Sequence, residues 1–96
     1  MFNMDMIGRV RDERLYIGGI GTSSALKPAL DAFAPASALN ITYTESGYGA
    51  SDQTAFNAKR IPVLFFYSGV HTDYHKPSDT ADKINAADAV KVLGLV

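Results

Sequence analysis

Cysteine is missing from the chain, which excludes disulfide bonds, thiolate metal ligands and a cysteine nucleophile. Any metal held here would need His, Asp or Glu donors. An excess of one charge is missing as well, since nine basic residues stand against ten acidic ones for a net charge of -1. A nucleic-acid footprint would need clustered Lys and Arg, so no nucleic-acid partner is expected. Long apolar runs are absent too. The longest, Ile61 to Tyr67, is far too short to span a bilayer, and "MFNMDMIGRV" has neither the basic lead nor the apolar core of a signal peptide. The chain as given is expected to be soluble, with no membrane partner and no compartment assigned. Its 96 residues make one small domain, which buries only about 60–65% of its unfolded surface, so the core must be efficient or shared.

What is present reads as alternating strands and helices. Phe2, Met4, Met6 and Ile7 mark a strand over 2–7, and the charged "RVRDER" separates it from a second β-rich run, "LYIGGIG". Two strands joined by a charged turn are expected. Ser23 or Ser24 is placed to cap a helix carrying Leu26, Leu30 and Phe33, with Pro28 in the first turn and an end before Pro35. "LNITYT" has strand composition and leads into the glycine-rich "ESGYGAS" loop. Ser51 or Asp52 should cap a short helix to about residue 59. "IPVLFFY" shows no polar alternation and reads as a central strand buried on both faces. Ser78 and Asp79 are placed to cap a final helix, whose apolar face should comprise Ile84, Ala87, Val90 and Leu93. The expected fold is α/β, a mostly parallel or mixed central sheet flanked by helices, over residues 1–96.

The chemistry concentrates after the central strand, in "HTDYHKPSDT", which holds both histidines. His71 and His75 are four apart, which on a helix would put them on one face, but Pro77 and the preceding strand argue against a helix. Loops at the carboxyl ends of α/β strands are where such folds build sites, so one histidine is a candidate imidazole ligand, the alternative being a solvated or capping side chain. Asp5, flanked by methionines, occupies a position a strand would give to an apolar group. Either it is exposed at the strand end or something positive sits on it.

Together, "NMDMIGR", "GYGASDQTAFNAKRIPVLFFYSG" and "HTDYHKPSDTADKI" resemble the C-terminal part of the co-catalytic dizinc aminopeptidases. This metallopeptidase group contains the bacterial leucyl and Streptomyces-type aminopeptidases and has the glutaminyl cyclases as relatives. The resemblance implies a partial zinc-peptidase α/β/α domain that removes N-terminal residues from peptides by metal-bound hydroxide. It implies zinc as cofactor, two ions in a complete domain, with Asp5 and His75 as ligands and Tyr74 as hydrogen-bond donor to the oxyanion. It gives His71 no ligand role, and it places Tyr48, Asp52 and Gln53 around the substrate pocket or behind the ligands.

Two departures stand out. The family pattern at "SDQ" is Ser-Asp-His, so Gln53 replaces a titratable side chain with one that only hydrogen-bonds. The family's other histidine ligand, bridging aspartate and tandem glutamates lie upstream of "NMDMIG", where this chain has two residues; its only glutamates, Glu13 and Glu45, form no such pair. The expected reading is the C-terminal half of an aminopeptidase catalytic domain, inactive by itself. Its expected partners are a peptide substrate in the complete enzyme and either the missing N-terminal half or a second copy. The alternatives are a noncatalytic module that self-associates through an exposed sheet edge, and a glutaminyl cyclase-like acyltransferase.

Overall fold

The computed structural model describes residues 1–96. Four strands, β1 (Phe2–Asp5), β2 (Arg14–Gly18), β3 (Asn40–Thr44) and β4 (Leu64–Tyr67), alternate with three helices, α1 (Leu26–Ser37), α2 (Gln53–Ala58) and α3 (Ala86–Leu95). The sheet order is β1-β4-β2-β3. β1 runs parallel to β4 and β2 parallel to β3, while β2 and β4 are antiparallel, so the sheet is mixed and the expected α/β class holds.

The expected strand over 2–7 stops at Asp5, because Met6 turns left-handed at φ 59 and Ile7–Arg9 form a 3-10 turn. β1 and β2 are not neighbours either, since β4 lies between them. The charged segment between them therefore bridges across the position of β4 rather than forming a hairpin turn. At the end of β2, Gly19 has φ 89 and lies so close to β4 that a Cβ there would sit 2.4 Å from the Val63 carbonyl oxygen. Only glycine fits that approach.

One sheet face carries the core. Leu15, Ile17, Leu64 and Phe66 are buried on it, covered by Leu30 of α1 and by Val92 and Leu95 of α3. β4 is thus central, but it is fully buried on one face only: Phe65 and Tyr67, on the other, are half-buried. The 45–52 loop and the start of α2 cross that second face. Ser46 approaches Gly18, and Ser51 and Gln53 reach Asn3 of β1.

The helix ends depart from the sequence reading in instructive ways. Ala25, not Ser23 or Ser24, is the N-cap of α1 and makes no side-chain cap bond; Ser23 Oγ only accepts a 3.4 Å bond from the Ala25 amide. The helix also continues through Pro35. Pro35 and Asp31 are both exposed, so the Asp31 carbonyl that proline leaves without a donor faces water. Asp52 is the N-cap of α2 but its carboxylate does not cap it. α3 is capped by Asn85, whose side chain accepts from the Asp88 amide at 3.1 Å, and not by Ser78 or Asp79.

The core-facing side of α3 was misassigned by periodicity. Val90 and Leu93 are 66% and 54% exposed, whereas Val92 is fully buried and Leu95 is 8% exposed. Apolar residues occur on both sides of this short helix, and its neighbours decide which side is buried. Val92→Ala should therefore cost about 2 kcal/mol in urea unfolding, from lost transfer and a residual cavity. Val90→Ala, the same chemical change, should stay within about 0.5 kcal/mol.

Candidate active site

The parallel register places Asp5 beside Tyr67, so β1 and β4 deliver their carboxyl ends to the same sheet edge. Ser68 fastens the two exits together, its buried hydroxyl donating to the Met6 carbonyl. At this edge a cavity of about 190 Å³ is lined by Asp5, Met6, Ala50, Phe65, Tyr67 and Tyr74. The Tyr74 ring stacks on His75 with centroids 3.8 Å apart. Asp5 and Tyr74, drawn from motifs at opposite ends of the sequence, thus line one cavity, and His75 stacks on the Tyr74 ring beside it. His75 is exposed and has φ 55, a left-handed conformation that is uncommon for a non-glycine residue.

Asp5 is held from behind. Ser51 Oγ donates to Asp5 Oδ2 at 2.8 Å, and the Asn3 amide donates to both Ser51 Oγ and Gln53 Oε1 at 2.9 Å. Gln53 is buried, and a Cβ on Gly49 would come within 2.8 Å of its Nε2. Gln53 accordingly reaches Asp5 through two other side chains and does not line the cavity. Tyr48, 63% exposed, and Asp52, also exposed, stand outside the cavity lining.

The His75 loop is held by charge. Arg9, just after β1, donates to Asp73 at 3.0 Å and also to Asp79, so one guanidinium grips the loop on both sides of His75. Lys83 Nζ at 2.9 Å and Ser78 Oγ at 2.7 Å complete the ring of donors on Asp73. Those bonds, that from Lys83 first, then Ser78 and Arg9, hold the Asp73 carboxyl far below the usual carboxylate range. His71 is buried beneath the loop, edge-on to Tyr74 and with Nε2 3.9 Å from Asp79. It packs the loop from below. Burial, followed by the nearby Tyr74 and Asp5, raises the Tyr67 phenol above its ordinary value, so it stays a protonated donor.

Asn3, Ser51, Arg9 and Asp73 are the residues that sequence reasoning missed. Each lies inside a quoted motif, within four positions of a named site residue, and that proximity was the available signal.

The donor set fits zinc in kind, because carboxylate oxygen and imidazole nitrogen are ligands it accepts. In number it falls short: no group of three or more His, Asp or Glu side chains is placed to hold a metal ion. A closed zinc site needs four ligands.

The charge clamp generates a pH prediction. A carboxyl with a depressed folded-state pKa adds stability that is fully present above its unfolded value of about 4 and is lost as pH falls below it. Urea midpoints measured downward from pH 6 should fall more steeply below about pH 4 for the natural chain than for Asp73→Asn. Parallel curves would remove Asp73 from the clamp.

The model of peptidase family M28 matches residues 1–96. The crystal structure of the Legionella pneumophila LapA aminopeptidase superposes with a TM-score of 0.78 at 20% identity, covering 98% of this chain and 28% of that one. A second L. pneumophila LapA crystal structure gives a TM-score of 0.76 at 24% identity, again with 98% and 28% covered. The fold is shared, and the chain spans little more than a quarter of those proteins. No curated protein sequence matches. With the whole of its length matched by the family model, this chain belongs to peptidase family M28.

Proposed function

We propose that the chain is the metal- and substrate-facing part of a zinc-dependent aminopeptidase, in which Asp5 and His75 would hold zinc and Tyr74 donates a hydrogen bond to the substrate. The observation that carries this reading is the position of Tyr74, which shares a cavity with Asp5 and stacks on His75. When bound, zinc supplies Lewis acidity toward the peptide carbonyl and a lowered pKa for water. The Tyr74 phenol, 40% exposed at the cavity mouth, can donate to the carbonyl oxygen as charge develops on it. Met6, Ala50 and Phe65 give the cavity an apolar wall, suited to the side chain of an N-terminal residue.

By itself the chain is proposed to be inactive, because its two donors leave a metal underheld and no glutamate pair is present to serve as general base. The partner completing it would be the remainder of an M28 domain. β1 is an edge strand with one neighbour, and an apolar cavity of about 190 Å³ beside it is lined by Phe2, Leu26, Phe33, Leu64, Phe66 and Leu95, among others. Phe2 and Phe33 are 55% and 63% exposed. The same surface favours a second reading, a noncatalytic module that pairs with its own copy, since open strand edges and apolar patches promote association.

Calorimetry on the isolated chain should show zinc affinity weaker than about micromolar, lost in Asp5→Ala and in His75→Ala but kept in Asp52→Ala, with no release of N-terminal residues from peptides. A closed structural site needs four ligands. Submicromolar 1:1 binding in a monomer would overturn the proposal of an incomplete site, and binding indifferent to Asp5 and His75 would overturn their assignment. Sedimentation of the same samples tests the second reading, which requires concentration-dependent dimers.

A further inference from the structure

We infer that Asn3 and Gln53 are positioning residues for Asp5, acting through Ser51. Asn3 and Asp5 lie two apart on β1 and so point to the same sheet face. The Asn3 amide nitrogen has two protons, and its two bonds, to Gln53 Oε1 and to Ser51 Oγ, use both. The Ser51 hydroxyl has one proton, and it goes to Asp5 Oδ2. Hydrogen-bond polarity therefore runs one way, with the Asn3 amide placed by the Gln53 carbonyl, the serine hydroxyl oriented by Asn3, and the aspartate fixed by the serine. Such a chain polarises in sequence, each bond strengthening the next.

The arrangement has two consequences. Ser51 takes one acceptor position on Asp5 Oδ2, so Oδ1 is the less committed oxygen for a cation. The anchor of the chain is Gln53, only 1% exposed and packed against Gly49, where an added Cβ would come within 2.8 Å of Gln53 Nε2 and push the amide aside. A substitution at 53 thus reaches Asp5 without touching it. For the cation this inference rests on the reading of Asp5 as a metal ligand, but the positioning itself needs no metal and is measured without one.

The test is Asp5 χ1, read from three-bond side-chain couplings by NMR on the metal-free 96-residue chain. Asp5 should occupy a single rotamer in the natural chain. In Gln53→Met, which keeps the volume and removes the acceptor, and in Asn3→Ala, the couplings should move to rotamer-averaged values while the Leu64 and Phe66 resonances stay in place. Gln53→Glu, which keeps an acceptor, should restore the single rotamer despite the less favourable buried charge, a reversal that loss of packing would not produce. The double variant Asn3→Ala/Gln53→Met should average no further than either single one. Rotameric averaging at Asp5 in the natural chain, or a single rotamer retained in whichever of Gln53→Met and Asn3→Ala folds, would overturn the inference. Either result is independent of zinc affinity and activity, which test the peptidase reading separately.

Discussion

The parallel pairing of β1 with β4 is the constraint on which the rest depends. β4 is the only sheet neighbour of β1, and the strand exits it joins at Met6 and Ser68 are 62 positions apart in sequence. Closing a loop of that length costs about 4 kcal/mol in chain entropy. Burying Leu64 and Phe66, each worth about 1.5–3 kcal/mol, offsets it. The pairing therefore exists because "VLFF" puts large apolar residues on the core face, and Phe2 adds an edge-on contact to Phe66 at 6.4 Å between ring centroids. Once formed, it aligns Asp5 with Tyr67, and the segments leaving both strands have nowhere to go except a common edge.

At that edge the two flanks of the cleft are held by different physics. The Asp5 side is fixed by directional side-chain hydrogen bonds running back to a buried amide. The His75 side is fixed by ion pairs around Arg9, whose side chain and that of Asp73 are each about 15% exposed. Partial desolvation makes these pairs stronger than ordinary surface bridges while leaving them open to salt and acid. The loop they hold includes a left-handed histidine, and a strained residue persists only where such surrounding contacts outweigh its cost. Arg9 joins the two sides, since it follows the strand that carries Asp5 and grips the loop that carries His75.

Much of this was legible in the residues. The β-rich runs at 40–44 and 64–67 are strands, and Asp5 and Tyr74, from distant motifs, line one cavity with His75 stacked on Tyr74. The failures share one cause, which is that the deciding partner lies far away in sequence. Val90 and Val92 look alike in a periodicity plot, and only the position of α1 and the sheet makes one of them core. Pro35 reads as a helix stop, yet on the exposed side of α1 its missing donor leaves a carbonyl that water can satisfy. Asp79 looks like a cap until Arg9, 70 residues away, claims it. Gln53 looks like a helix-start residue, and only the fold shows that it anchors a bond chain ending on Asp5.

The central proposal is that Asp5 and His75 would each hold one zinc of a two-metal centre. It is tested most directly by crystals of this chain soaked in millimolar zinc and examined by anomalous scattering at the zinc edge. The account predicts a peak at the cleft mouth, about 2.0–2.2 Å from an Asp5 carboxylate oxygen or a His75 ring nitrogen. Zinc found only at other carboxylates of the surface, with the cleft between Asp5 and His75 empty at saturating concentration, would contradict it.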